Sequence, residues 1–497
     1  MSIAKKLLGQ TAAYGISSIV GRLLNYLLVP LHTLIFDKEA YGIIGGLYAY
    51  VGFFNVLYIF GLETAFFRFA NRPDANRTKL YNEVLSFLIV SSIFLTGLIL
   101  IFLDPISKLI NFPNQKLYIA WLAIILAIDA ITAVPFARLR LENKPLKFAG
   151  IKMANILLVV GANLFIFLFC HQVYQGKLWP ELKPIIAKIY FPEWGVGYIF
   201  LINLLANFLL LPMLWQEFKS FRFELNFSSI KPLLRYGYPI MLMGFAGMVN
   251  ELIDRILLLE LLPPDFYPGT SVKGALGIYN ACYKLAMFMT ITIQAFRYAG
   301  EPFFFSQAKE KDSTRTFAFV MKWFVVVCTF IFLFVSLNLD IFKLFIRRAE
   351  YYQGLGVVPI LLMANLFLGV YYNLSAWFKL TDKTYYGTFI SFGGAAVTII
   401  LNIILIPRLG YMGCAWATLA CYFSMAAACY LLGQKYYPVP YPVTTILAYL
   451  GLAVALVFLG ANVLITDVIL RHTFHLGLCL AFLIVIWIVE KPRFIKM

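Results

Sequence analysis

Six basic side chains sit inside stretches of this chain that are otherwise apolar: Arg22, Lys152, Arg255, Lys284, Arg297 and Lys322. A charged group near the middle of a bilayer costs at least about 2.5 to 3.5 kcal/mol on insertion scales, so such residues usually face a polar path or an anionic ligand rather than lipid. Arginine presents a forked, permanently charged set of donors that matches phosphate oxygens, and lysine adds a compact point charge. Arg22, Lys284, Arg255, Lys152 and Arg297 are therefore candidates for holding an anionic cargo. Among the acids, Asp129 stands alone within an apolar stretch, where a carboxylate that binds and releases a proton or a sodium ion can couple movement to a gradient. Glu63 and Glu301 close two other apolar stretches and are candidates for a gate that pairs and unpairs charges.

Each of these residues also has a structural reading. Arg22 lies about ten residues beyond Gln10, too deep to snorkel easily at roughly 1.5 Å per residue, and its alternative role is a fixed pair with Asp129. Arg255 has Glu251 one turn before it and Asp254 beside it, so an intrahelical ion pair would neutralise it. Lys284 has no acidic neighbour within a turn, which leaves cargo or another helix as its counter-charge. Lys152 and Lys322 begin their stretches, where long side chains snorkel to the headgroups, and Lys322 is read in that way. Asp129 can equally be fixed by Arg22 or Lys284. His472 and His475 have a metal-like spacing, but no acidic or cysteine partner accompanies them, and neither a metal site nor a cofactor is expected. The seven cysteines fall in or at the ends of apolar stretches without a Cys-x-x-Cys pair, which points to packing.

The elements that carry these residues follow from composition. With 497 residues, 62% of them hydrophobic, 13% charged and a mean hydropathy of +0.82, the chain falls outside the soluble range and reads as an all-α polytopic membrane protein. A hydrocarbon core about 30 Å thick needs roughly 20 helical residues, and about 14 stretches of that kind run from Leu7–Phe36 to Phe474–Val489. The first has no small-residue cleavage site and is expected to stay in the product. With both termini cytoplasmic, the loops on that side hold roughly twice as many Lys and Arg as the opposite loops, which fixes the expected orientation. The net charge of +17 is thus largely a topology signal, and nucleic acid is not an expected partner.

An internal repeat divides the chain. Ala137–Lys144 (ARLRLENK) aligns without gaps on Ala376–Lys383 (AWFKLTDK), and the same offset of 239 residues places Asn163 on Asn402. Arg22 matches Arg255, each followed eight residues later by a proline, Pro30 and Pro263. The expected organisation is an N-terminal lobe of six helices over 1–218, a cytoplasmic interfacial linker over 219–234, a C-terminal lobe of six helices over 235–434, and two further helices over 435–497. Repeats in the same orientation suit lobes that rock about a site near the midplane.

Two six-helix lobes plus two helices, with an arginine in the first helix of each lobe, resemble the multidrug, oligosaccharidyl-lipid and polysaccharide exporter superfamily. Its polysaccharide (O-antigen type) flippase branch fits best. The residues that carry the resemblance are GRLLNYLLVPLHTLIF (Gly21–Phe36), GLETAFFRF (Gly61–Phe69), NELIDRILL (Asn250–Leu258), GIYNACYKLAMFM (Gly277–Met289), AFRYAGEPFFF (Ala295–Phe305) and LNIILIPRLGYMGCAWATL (Leu401–Leu419). The resemblance implies export of a lipid-linked anionic oligosaccharide across a bacterial inner membrane for surface polysaccharide such as lipopolysaccharide. Membrane lipids and other polysaccharide assembly proteins are the implied company.

Other classes fit less well. A drug or cation antiporter of the same superfamily wants an acidic cavity, whereas buried cations outnumber the isolated acid here. A lipid II flippase is also cationic, but the first stretch holds one arginine instead of a cluster. A membrane glycosyltransferase or polymerase wants acidic or nucleophilic groups on a sizeable loop, and the longest outward loop, Val173–Gly195, offers only Glu181 and Glu193.

Overall fold

A backbone in hydrocarbon must satisfy its own N–H and C=O groups, and an α-helix does so within one segment. The computed structural model describes residues 19–307, 310, 312–463 and 465–494, and no strand occurs among them. The chain divides into two compact units, the first ending at Gly277 and the second beginning at Ile278.

The first unit contains α1 (Ile19–Ile35), α2 (Lys38–Ile59), α3 (Leu62–Ala70), α4 (Arg77–Ile101), α5 (Lys116–Leu141), α6 (Pro145–Leu164), α7 (Gly197–Met213) and α8 (Phe227–Leu261). Side-chain caps start several of them: Asp37 accepts from the amide of Ala40 at 2.8 Å, and Asn76 accepts from that of Lys79 at 3.0 Å. The central helix is α5, which packs against α2, α3, α4 and α7 and buries Leu122, Leu126, Ala130, Val134 and Ala137. Between α7 and α8, the backbone amides of Arg222 and Glu224 bond Asn82 Oδ1 and Ser86 Oγ on α4, while Phe223, Leu225 and Phe227 are exposed. The entry to α8 meets the α2–α3 break so closely that a Cβ on Gly61 would lie 2.5 Å from the carbonyl oxygen of Gly237. Gly61 also has φ +67°, so glycine is required there twice over.

Helix α9 (Val272–Leu285) begins in the first unit and continues into the second, where a bend of 48° separates it from α10 (Met287–Gln307). The second unit continues with α11 (Ser313–Leu337), α12 (Val357–Leu374), α13 (Tyr385–Leu409), α14 (Tyr411–Tyr436), α15 (Val443–Asn462) and α16 (Val468–Phe494). Here α14 packs along α12 and α13, and α11 joins α12 to α15 and α16.

The protein is therefore an all-helical, multi-pass membrane protein. A helix lies over each of the apolar stretches, but among the described residues ten are long and apolar enough to span a bilayer, or eleven with the bent pair α9 and α10 taken as one. The expected count of about 14 is not reached by that measure, for identifiable reasons. The early part of the first stretch lies outside the described residues, α7 is short, and α8 carries Asn250, Glu251, Asp254 and Arg255 among its apolar residues.

Candidate functional site

In the first unit the charged residues gather along one face of α5. Asp129, Phe136 and Arg140 are seven and four residues apart, a spacing that puts them on one side of a helix. Arg140 Nη2 pairs with Glu63 Oε1 on α3. Between the ends of this column sits Lys152 from α6, half-buried, its ammonium 4.2 Å from the centroid of the Phe136 ring and coupled electrostatically to Asp129, Glu63 and Arg140. Tyr48 on α2 is near enough to Asp129 and to Asn203 on α7 to interact with both. The cation that acts on Asp129 is thus Lys152. Arg22 is exposed and makes no ion pair among the described residues, so the expected alternative of an Arg22–Asp129 pair is not what forms.

Arg255 is 8% exposed on α8. Its Nη1 donates to the carbonyl of Glu251 at 2.6 Å and to Asp254 Oδ1 at 3.0 Å, and Asp254 also accepts from the Arg255 amide. The intrahelical pairing expected from the sequence is present, with Asp254 as the carboxylate.

In the second unit Lys284 is half-buried on the last turn of α9, three residues before α10 begins beyond the bend. A cation suits that position because the last carbonyls of a helix carry partial negative charge. Arg297 is exposed on α10, with its guanidinium 4.8 Å from the centroid of the Tyr372 ring. Glu301 belongs to α10, and its side chain lies outside the described residues. Lys322 corrects its sequence reading. Instead of snorkelling, it is 8% exposed, and its Nζ lies 2.5 Å from Glu490 Oε2 on α16, whose Oε1 accepts from Tyr449 on α15 at 2.9 Å. Burial removed the water that snorkelling needs, and a carboxylate took its place.

Several members of these clusters were not singled out in the sequence. Arg140 lies in the repeat segment Ala137–Lys144 just past an apolar stretch, where a cation serves orientation, yet α5 runs to Leu141, and about three turns separate Arg140 from Asp129 on the same face. Lys379, in the matching segment Ala376–Lys383, is placed in the same way, although it lines a groove with Arg297. The offset of 239 residues that pairs Arg140 with Lys379 was the available signal. Among the described residues no group of three or more His, Cys, Asp or Glu is placed to hold a metal ion.

The described fold has counterparts among solved structures. One is the lipid II flippase MurJ in an inward closed conformation, with a TM-score of 0.66 at 13% identity over 97% of this chain and 99% of that one. Another is a multidrug resistance MATE family transporter of the MOP superfamily, facing inward, with a TM-score of 0.65 at 12% identity over 86% of this chain and 96% of that one. A Vibrio cholerae MATE transporter aligns with a TM-score of 0.51 at 14% identity over 87% of this chain and 97% of that one. At these identities the likeness is one of fold, the fold of MOP-superfamily flippases and transporters. No curated protein sequence gives a significant match. The family model described as polysaccharide biosynthesis protein matches residues 7–305, more than half of the chain, and on that match the chain belongs to the polysaccharide biosynthesis protein family.

Proposed function

We propose that the protein flips a polyprenyl-diphosphate-linked oligosaccharide from the cytoplasmic to the periplasmic leaflet of a bacterial inner membrane, by alternating access through a cationic cavity. The observation that carries this reading is the combination of membership in the polysaccharide biosynthesis protein family with basic residues set into apolar helices. A diphosphate headgroup must be drawn past hydrocarbon, and cations held within helices supply the attraction. Arg22, Lys152, Lys284, Arg255 and Arg297 are the residues assigned to it. Arg255 enters the assignment as a shared charge, because Asp254 already accepts from its guanidinium.

Asp129 is assigned to coupling with a proton or sodium gradient, with Lys152 as the cation it answers to. Glu63 and Glu301 are assigned to the cytoplasmic gate, and the Glu63–Arg140 pair supports this for the first unit. The loop charges support cytoplasmic termini. Lobes over 1–218 and 235–434, with helices over 435–497 outside the repeat, remain the proposed domain organisation.

The test in cells is depletion of the protein. The reading predicts loss of surface polysaccharide with lipid-linked oligosaccharide retained on the cytoplasmic face, whereas normal surface polysaccharide in the depleted strain would refute it.

A further inference from the structure

We infer that a cluster of aromatic rings in the first unit, where α5 begins and the chain enters α7, binds the sugar rings of a glycan. Tyr118 and Trp121 lie one turn apart at the start of α5, with ring centroids 6.0 Å apart. Trp121 is followed by Trp194 at 6.0 Å, and Trp194 by Tyr198 at 5.5 Å and Phe191 at 6.2 Å. Neighbouring planes in this run differ by 33° to 44°. Trp194 is 40% exposed and Phe191 46% exposed, so the run presents ring surface instead of closing on itself.

The rings are held in place by the fold around them. The Tyr118 hydroxyl donates to the carbonyl of Trp194 at 3.3 Å, and the Phe191 amide donates to the Tyr198 hydroxyl at 2.6 Å. Tyr118 lies so close to α7 that a Cβ on Gly197 would come within 2.9 Å of its ring. The buried Phe200 stacks on Tyr118 at 4.9 Å and on Tyr48 of α2 at 5.7 Å, which keys the cluster into the packing of three helices. Aromatic residues that only mark a membrane–water boundary need no such mutual bracing. Rings fixed before a ligand arrives spare the cost of ordering them on binding.

The chemistry on offer suits a sugar. One face of a pyranose is a sheet of C–H groups that lies well on an aromatic face, and its rim of hydroxyls needs hydrogen-bond partners. The indole N–H groups of Trp121 and Trp194 donate to no described residue, and Glu193, next to Trp194, is exposed as an acceptor. A hydrocarbon chain would cover the rings and leave those N–H groups unpaired, and a phosphate would find no cation within the cluster. Membership in the polysaccharide biosynthesis protein family supports a glycan as the ligand. On the orientation given by the loop charges this end of α5 is the outer one, so the assignment of the glycan as cargo arriving there rests on the transport reading.

The experiment measures binding of two probes to the full chain in phosphatidylcholine nanodiscs: the free oligosaccharide repeat released from the source organism's surface polysaccharide, and a sugar-free polyprenyl diphosphate. Trp194→Ala and Phe191→Ala should each weaken oligosaccharide binding about tenfold, the order expected for one aromatic contact. Trp194→Phe, which keeps a ring, should recover part of the loss. Trp179→Ala, at an exposed tryptophan that packs on Phe169 outside the run, should leave binding unchanged. None of these changes should affect the sugar-free lipid. Absence of saturable oligosaccharide binding by the wild-type protein would overturn the inference, as would binding unaltered in folded Trp194→Ala and Phe191→Ala proteins. A loss shared equally by the sugar-free lipid would also overturn it, because the rings would then be a lipid contact. Failure of the transport reading is separable: a protein that binds the oligosaccharide here yet moves no lipid-linked form in proteoliposomes would remove that reading and leave the sugar site.

Discussion

Asn163 and Asn402, 239 residues apart, make the same hydrogen bond: each donates its Nδ2 at 2.8 Å to the carbonyl four residues earlier, Val159 in α6 and Thr398 in α13. Both side chains are buried, at 1% and 0% exposure. The repeat seen in Ala137–Lys144 and Ala376–Lys383 thus continues in the bonding of helix interiors. The two sites differ at the other amide atom. Asn163 Oδ1 lies 2.8 Å from His32 Nε2, and Asn402 Oδ1 has no hydrogen-bond partner among the described residues.

That difference predicts unequal costs. Asn163→Leu removes the contact with His32 Nε2 as well as the bond to Val159 and should destabilise the protein by about 1 to 3 kcal/mol, while Asn402→Leu removes an already unsatisfied acceptor and a single bond and should cost less. Thermal unfolding in detergent compares them, and a larger loss for Asn402→Leu would contradict the account.

Lys322 and Glu490 tie α11 to α16 through a buried pair. Removing one partner, as in Glu490→Met or Lys322→Met, should cost about 3 to 5 kcal/mol because the remaining group stays buried. Lys322→Met combined with Glu490→Met should recover much of that loss. A double variant as unstable as the sum of the single variants would show that the charges are not acting on each other.

Asp340 joins the end of α11 to the start of α16, accepting from Lys343 Nζ at 2.8 Å and pairing with Arg471 Nη2 at 2.9 Å. The hydrogen bond from Lys343 leads the effects that hold its carboxyl below the usual carboxylate range. A depressed folded-state value means the contribution is present above the unfolded value, near 3.9, and is lost as pH falls through the folded one. Thermal stability should therefore fall in that acid window, and Asp340→Asn should flatten this part of the profile. An unchanged acid limb in Asp340→Asn would refute the assignment.

Asp129→Asn tests coupling. Lys152 keeps its contact with the Phe136 ring in this variant, so the protein should stay folded and retain binding of the lipid diphosphate. Stimulation of transport by an imposed proton or sodium gradient should be lost. Gradient dependence unchanged from wild type would remove Asp129 from the coupling role.

The helical architecture was legible in the sequence because hydrocarbon imposes it residue by residue, and the repeat was legible because ARLRLENK and AWFKLTDK retained their spacing. Partners were harder to read. Glu490 is 168 residues from Lys322, and nothing local to either announces the other. Asp129 was matched with Arg22 or Lys284, although its cation comes from the next helix, because periodicity gives a face but not the neighbour that the face meets. Arg140 and Lys379 were hidden by their place at helix ends, where a charge serves topology and a site equally well.

The central claim is most directly tested by reconstitution. Purified protein in proteoliposomes should move a polyprenyl-diphosphate-linked oligosaccharide between leaflets, as read by the fraction accessible to an impermeant sugar-oxidising reagent. Arg22→Gln and Lys284→Gln should each slow that movement at least about tenfold in proteins that remain folded, and a neutral lipid carrying the same sugars should not be moved. Equal movement of the neutral and the diphosphate-linked lipids, unaffected by either substitution, would contradict the account.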